Sequence, residues 1–351
     1  MKRIYKALFF VLAVSLFASC EVEFSPNADW KEIPVVYCVL DQDDDTSYVR
    51  VQRCFLGEGN QYQYTSVADS IYYPQGALSV AIEQWNATLA SDGTLYRTGD
   101  APVQVLNFDY KEIVSKEEGQ FYNTVQPVFA CATAGLLDSL SVYRLVVVKT
   151  ATGDTIATAE TQLIYGNVQL VRPNNNIMFQ FSGTSGSKTC EFNWSSLSGA
   201  RQYQPIVRFF YRDFIIDASV TPPDTIITPH SIDIPCNTVK SNMRDPFMTT
   251  NLSQNFFLTT IKNSIEDVDC NKNIIDTVQI FITCCNEPLA AYMYAGHPGG
   301  SLVQEPFTYT NINGGLGVFA SRRTHISFKV RTPASSVSNY ISSLKDLNVG
   351  F

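Results

Sequence analysis

From Pro34 onward, apolar and polar residues alternate in short runs, and glycine, proline, asparagine and aspartate break nearly every run. A two-residue period puts successive side chains on opposite faces of an extended backbone, so these runs read as half-buried strands. "PVVYCVL" and "SYVRVQRCFL" flank "DQDDDT", a hairpin with an acidic turn. "ALSVAIEQWN" leads through an Asp-Gly turn in "ASDGTLYRTG" into another strand. "QPVFACA" and "SVYRLVVVKTATGDTIATAETQLI" add two or three more, turning at Gly153-Asp154. Within this half only "LNFDYKEIVSKEEGQFY" carries a helix-like stretch.

A second set of runs starts near residue 167. "NVQLVRP", "IMFQFSG", "TCEFNWSS", "QYQPIVRFFYRDFII", "SIDIPC", "NFFLTTIKN", "DTVQIFITCC" and "RTHISFKVRT" read as strands, with "SGTSGSK" and "TPPDTIITP" as loops. "PLAAYMYA" fits a helix or a bulged strand, and "SSVSNYISSLKDLNVG" has helical spacing. No solenoid-type repeat is present. The expected fold class is therefore all-β: two tandem antiparallel β-sandwiches of immunoglobulin or fibronectin type III kind. They span residues 32–166 and 167–332, and a tail with helical spacing covers 333–351.

Ahead of the strands stands a different pattern. Lys2, Arg3 and Lys6 precede the apolar run "ALFFVLAVSLFAS", and small residues abut Cys20. That is a secretory signal over residues 1–19, too short to serve as a comfortable permanent span. The junction resembles a bacterial lipobox, although Phe17 stands where lipoboxes favour leucine. The resemblance implies cleavage before Cys20 and acylation of its thiol and amine, with residues 20–31 as a linker. Two or more acyl chains anchor stably where one does not. The alternative is a soluble secreted protein with an incidental cysteine. Glu21 and Glu23 fit either a surface-export signal or a solvated linker. The expected location is the outer membrane, at the cell surface or on its periplasmic face.

Removing the signal moves the formal charge from −8 to −11, because three cations leave. An acidic chain without a basic stripe repels phosphate backbones, so nucleic acid is not an expected partner. Eight cysteines follow Cys20, in a compartment that permits disulfides. Cys38 and Cys54 lie in strand-like contexts that suit buried thiols. Cys284 and Cys285 point to opposite faces of one strand. Cys236 and Cys270, in polar surroundings, form the candidate disulfide. No cysteine pair has zinc-site spacing.

Motifs that could carry chemistry are few. Asp41, Asp43 and Asp45 occupy positions one, three and five of a calcium loop, but Thr46 and Gln52 replace its glycine and its last glutamate. A solvated turn is the better reading. "NINGGLGVFASRR" lacks the Lys-Ser/Thr ending of a phosphate loop and reads as a glycine-rich bend. His230, His297 and His325 share no metal spacing, and Ser301 has no nucleophile elbow around it. No catalytic residue, metal or cofactor is expected. Trp30, Trp85 and Trp194 could stack on sugars, but the alternation Phe192/Trp194 suits a core. Five triplets of Asp, hydroxyl residue and aliphatic recur, with Ser70, Ser139, Thr155, Thr225 and Thr277 at their centres. They look like Bacteroidota O-glycosylation acceptors and equally like ordinary turn-to-strand syntax.

"VVYCVLDQDDDTSYVRVQRCFLGEGN", "YRLVVVKTATGDTIATAETQL", "ARQYQPIVRFFYRDF" and "YTNINGGLGVFASR" resemble blocks of outer-membrane lipoproteins of Bacteroidota that carry a domain of unknown function. The resemblance covers roughly residues 30–325 and rests on structural motifs. It implies fibronectin-like sandwiches, a membrane anchor, and a neighbourhood of outer-membrane receptors or other envelope proteins. The expected function is a non-catalytic, lipid-anchored binding or accessory protein. A weaker likeness to two-sandwich fimbrial subunits leaves a structural subunit polymerising by strand exchange as the alternative.

Overall fold

The computed structural model describes residues 32–54, 64–91, 93–114, 125–174, 176–184, 186–217, 219, 224–242, 245–265, 270–296, 308–344 and 349–350. The signal, Cys20, the linker, Trp30, His297 and Ser301 lie outside the described residues. The first half comprises β1 (Pro34–Asp41), β2 (Thr46–Arg53), the short helix α1 (Ala68–Ile71), β3 (Leu78–Trp85), β4 (Ala87–Leu89), β5 (Leu95–Arg97), β6 (Gln104–Ile113), β7 (Gln126–Ala132), β8 (Val142–Lys149) and β9 (Thr155–Gln162). The second comprises β10 (Leu170–Arg172), β11 (Thr189–Ser195), β12 (Gln202–Asp217), β13 (Asp224–Pro235), β14 (Val239–Lys240), β15 (Phe247–Ser253), α2 (Gln254–Ser264), β16 (Asn271–Ile274), β17 (Thr277–Cys285), α3 (Glu287–Gly296), β18 (Leu316–Arg323), β19 (Ser327–Arg331), α4 (Ala334–Ser343) and β20 (Val349–Gly350). The fold is all-β, as the alternation requires.

Four segments differ from the expectation. "IMFQFSG" forms no strand beyond the isolated bridge Ser182–Thr189, and the described part of "TPPDTIITP", residues 224–229, is strand within β13, paired along β12. Leu106–Ile113 is strand, continuous with β6, because Leu106 and Phe108 alternate into the core. "NFFLTTIKN" is helix α2, not strand. Its aromatic and β-branched content favours strand locally, but Phe257 and Ile261 are four residues apart and both fully buried, the spacing of one helix face.

Strands run in the order β18-β1-β2-β7-β6-β3-β8-β9 around the first core. Val36, Leu40, Val49 and Val51 of β1 and β2 meet Ile82, Leu145 and Val147 of β3 and β8. The sheet curls back on itself. Thr158 of β9 and Asn313, just before β18, exchange backbone hydrogen bonds of 3.0 and 2.7 Å and close the curl. Ile312 and Phe319 are part of this core. The packing therefore does not divide at 166/167: β18, from the second half of the chain, lies parallel to β1 and completes the first core.

Glycines make that passage sterically feasible. A Cβ on Gly314 (φ +83°) would sit 2.6 Å from the Ile156 carbonyl oxygen, and one on Gly315 2.5 Å from that of Pro34. At Gly317 (φ +111°) it would collide with the Val36 carbonyl. The glycine-rich bend is thus a close approach of two backbones.

The second core lies between β12 and β17 on one side and the three-stranded sheet β10-β11-β15 on the other. Helices α2 and α4 close it with Phe257, Ile261, Val337 and Tyr340. Trp194 is fully buried there, edge-on to Tyr203 with centroids 5.7 Å apart, so it belongs to the core. β17 pairs with β12 and, at Cys284–Arg323 and Cys285–Arg322, with β18. One hydrogen-bonded sheet therefore runs through both halves.

Candidate functional site

The β1–β2 hairpin has one face in the first core and one turned outward. With Val36, Cys38 and Leu40 inward, alternation sends Tyr37 and Val39 out, and β2 presents Tyr48 and Arg50. Tyr37 and Arg50 are direct cross-strand partners, and the guanidinium lies over the tyrosine ring, 4.7 Å from its centroid. Helix α3 crosses this outer face. It is held there by Asn286, whose Nδ2 donates to Thr161 Oγ1 at 2.9 Å and to the Gln162 carbonyl at 3.2 Å, while its backbone N–H donates to the Ser321 carbonyl. Tyr292 of α3 meets Tyr37 edge-on at 5.9 Å, and their hydroxyls are hydrogen-bonded. Burial, then the bond to Tyr37, pushes the Tyr292 phenol up to about 12, so it stays neutral at ordinary pH.

Between hairpin and helix runs an open groove of about 490 Å³, with Tyr48 at its lip and Arg322 at one end. Arg50 Nε is buried without a hydrogen-bond partner. Among the described residues Arg50 makes no ion pair; its stacking on Tyr37 is its close contact.

The acidic turn closes that end of the groove. Asp41 is fully buried and accepts from Thr324 Oγ1 at 2.7 Å and from the Asp43 backbone N–H at 3.1 Å. Arg322 reaches Asp41 and Asp44 at 3.8 Å each, His325 Nε2 stands 3.1 Å from Asp44, and Arg323 pairs with Asp43 at 3.1 Å. The turn's acids are thus met by "RRTH" from the β18–β19 connection. Among the described residues no cluster of three or more His, Cys, Asp or Glu could hold a metal ion.

Other candidates are scattered. Cys236 and Cys270 are both buried and both free, so the candidate disulfide is not formed. Cys236 lies near Cys190, whereas Cys270 Sγ accepts from Lys272 Nζ at 3.5 Å; the two cysteines are turned toward different neighbours. His230 Nε2 is 3.1 Å from buried Asp213, and its ring stacks on Tyr211 at 4.8 Å. Trp85 is buried; Nε1 donates to Glu83, and Arg97 covers the ring at 4.6 Å. Of the five acceptor hydroxyls, Thr155 and Thr225 are exposed, while Ser70, Ser139 and Thr277 are half-buried. Thr155 and Thr277 open β9 and β17, and Asp224-Thr225 opens β13, which is the turn-to-strand syntax.

The groove itself was not visible in the sequence. Alternation marks Tyr37 and Arg50 as outward, but only the hairpin register makes them partners, and nothing local brings Tyr292 to them.

No protein-family model matches the chain, and no curated protein matches it. Among solved structures, the chain is similar to the calcium-binding domain CBD12 of CALX1.1, at 13% identity over 85% of this chain and 99% of that one, with a TM-score of 0.17. CBD12 from CALX1.2 gives 10% identity over 86% and 99%, also at 0.17. The C-terminal globular domain of an oligosaccharyltransferase from Pyrococcus abyssi gives 8% over 89% and 53%, again at 0.17. At these TM-scores the likenesses carry no argument about fold or ligand.

Proposed function

We propose that this chain is a lipid-anchored, non-catalytic binding module of the outer membrane, with the groove between the β1–β2 hairpin and α3 as its ligand site. The observation that carries the reading is Arg50: a guanidinium stacked on Tyr37, lining an open groove, with no ion-pair partner among the described residues. A guanidinium held in an open groove without a counter-ion of its own is available to an anionic group on a ligand. The anchor rests on the lipobox pattern at Cys20 and on the resemblance to outer-membrane lipoproteins.

Two measurements test the two halves of this reading. Cells fed a clickable palmitate should label the wild type and not Cys20→Ala, and equal label in both overturns the anchor. Wild-type protein should retain envelope material that Arg50→Gln does not; identical retention by the two overturns the groove.

The structural-subunit alternative needs a strand that can leave its sheet. β1 is paired on both sides and fills the first core, whereas among the described residues β20 pairs with β16 at Lys272–Val349 and Asn273–Gly350. The C-terminal segment is therefore the candidate donor. A chain that stays monomeric after arginine-specific proteolysis at the cell surface excludes it.

A further inference from the structure

Resting on the groove as the ligand site, we infer that its ligand is a saccharide bearing a carboxylate, a uronic-acid oligosaccharide, with Arg50 pairing the acid. The first argument is the floor of the groove. β1 and β2 lie mid-sheet in the order β18-β1-β2-β7, so neither offers a free edge. An extended peptide gains its affinity from main-chain hydrogen bonds to such an edge, and none exists here. What the groove offers is side chains: the phenols of Tyr37, Tyr48 and Tyr292, with Thr46 and Gln126 beside them. Side-chain donors and acceptors between aromatic surfaces suit a polyhydroxyl ring with apolar C–H faces.

The second argument is charge. The carboxylates at the groove's end are already engaged, Asp41 by Thr324 and Arg322, Asp44 by His325 and Arg322. Arg50 is the cation left over. Its Nε is buried, so the terminal Nη groups are the ones a ligand meets, and they present a planar fork to a carboxylate. Stacking on Tyr37 fixes that fork before the ligand arrives, which lowers the entropy lost on binding.

The third argument limits how much charge the ligand carries. The chain as a whole has a formal charge of −8. A dense polyanion, sulfated or phosphorylated, would be repelled by that field. A sugar chain with single, spaced carboxylates satisfies Arg50 without that opposition.

The test uses the mature lipoprotein in detergent and trisaccharides of galacturonate, glucuronate and mannuronate, titrated by calorimetry. Each is paired with its methyl ester, which keeps the ring and removes the charge. At least one acid should bind, with its ester about tenfold weaker or more, the loss expected for one charge-assisted pair. Arg50→Gln should erase the difference between acid and ester, and Arg50→Lys should restore part of it. Equal binding of acid and ester, or an acid preference that survives Arg50→Gln, overturns the ligand class and leaves the groove standing. Binding of none of the uronates also overturns the class, and the Arg50-dependent retention of envelope material then decides separately whether the groove binds anything. An acidic peptide that binds through Arg50 while the uronates do not overturns the choice of saccharide.

Discussion

Arg323 Nε lies 3.1 Å from Asp43 Oδ2, across 280 residues of chain. The turn of the first hairpin and the β18–β19 connection thus neutralise each other. The pairs differ in depth, and so should their substitutions. Asp41 is fully buried and holds Thr324 and the turn backbone, so Asp41→Ala should cost about 1–3 kcal/mol, because it removes two hydrogen bonds to a buried carboxylate. Asp43 is exposed, so Asp43→Ala should cost about 1 kcal/mol or less. Urea denaturation of the two variants checks the order. Because the acids are already paired, calcium should leave the midpoint of the wild type unchanged.

The glycines before and within β18 separate a steric role from a conformational one. Gly317→Ala places a methyl against the Val36 carbonyl at a φ of +111° and should prevent β18 from lying on β1. Gly153, also left-handed at φ +75°, has open space around it, so Gly153→Ala should cost only the conformational penalty, about 1–2 kcal/mol. Near-equal unfolding midpoints for the two variants would contradict the close approach.

Thiol reactivity should sort the cysteines by burial. Burial pushes the thiols of Cys190, Cys236, Cys284 and Cys285 up to about 12, and Cys38 higher still. Cys54 and Cys131 are half-buried and less protected. A thiol reagent should therefore modify Cys54 and Cys131 in the native protein and the rest only after denaturation. Reductant should leave the unfolding midpoint unchanged, since Cys236 and Cys270 are free.

These outcomes separate what the residues reveal locally from what they do not. Alternation marks the inward set Val36, Cys38 and Leu40, and so most of the strands. It misreads "NFFLTTIKN", where aromatic and β-branched composition outweighs the four-residue spacing of Phe257 and Ile261. It is silent on the groove, because Tyr37, Arg50 and Tyr292 meet through strand register and through Asn286, whose side chain ties α3 to the end of β9. Loop-like polarity suggested a Cys236–Cys270 bridge, but local polarity says nothing about which way each thiol faces.

The Arg208–Asp233 pair gives a pH dependence with a definite sign. Two hydrogen bonds from Arg208, at 2.7 and 2.8 Å, hold the Asp233 carboxyl below its ordinary value of 3.8. A depressed folded-state value means stability that is present above the unfolded value and lost as pH falls through the folded one. Both side chains are partly exposed, so solvent screening keeps the contribution to about 1 kcal/mol or less. The stability gap between wild type and Arg208→Ala, measured by denaturant, should be present above the ordinary carboxylate value of 3.8 and should close as pH falls below it. A gap that widens in acid would reverse the assignment.

A chain ending at residue 166 should fail to fold, although it contains every strand of the first half. It lacks β18, whose Leu316–Arg322 segment pairs with Val35–Asp41. Without β18, β1 becomes an edge, and Phe319, fully buried among the β1 and β3 side chains, is missing from the core. Loss of a buried phenylalanine alone costs about 3–5 kcal/mol, a large fraction of the roughly 5–15 kcal/mol that keeps a domain folded. The bridge between Thr158 and Asn313 that closes the curled sheet is lost as well. Asn311 adds a latch, its side chain accepting from the Phe319 N–H at 2.9 Å and donating to the Phe319 carbonyl at 2.7 Å. Residues 32–166 should therefore show no cooperative thermal transition by circular dichroism. Addition of a peptide covering residues 308–324 should restore one, and the same peptide with Gly317→Ala should not. A sharp transition from residues 32–166 alone would mean that the first half is an independent sandwich and that β18 merely adds to its edge.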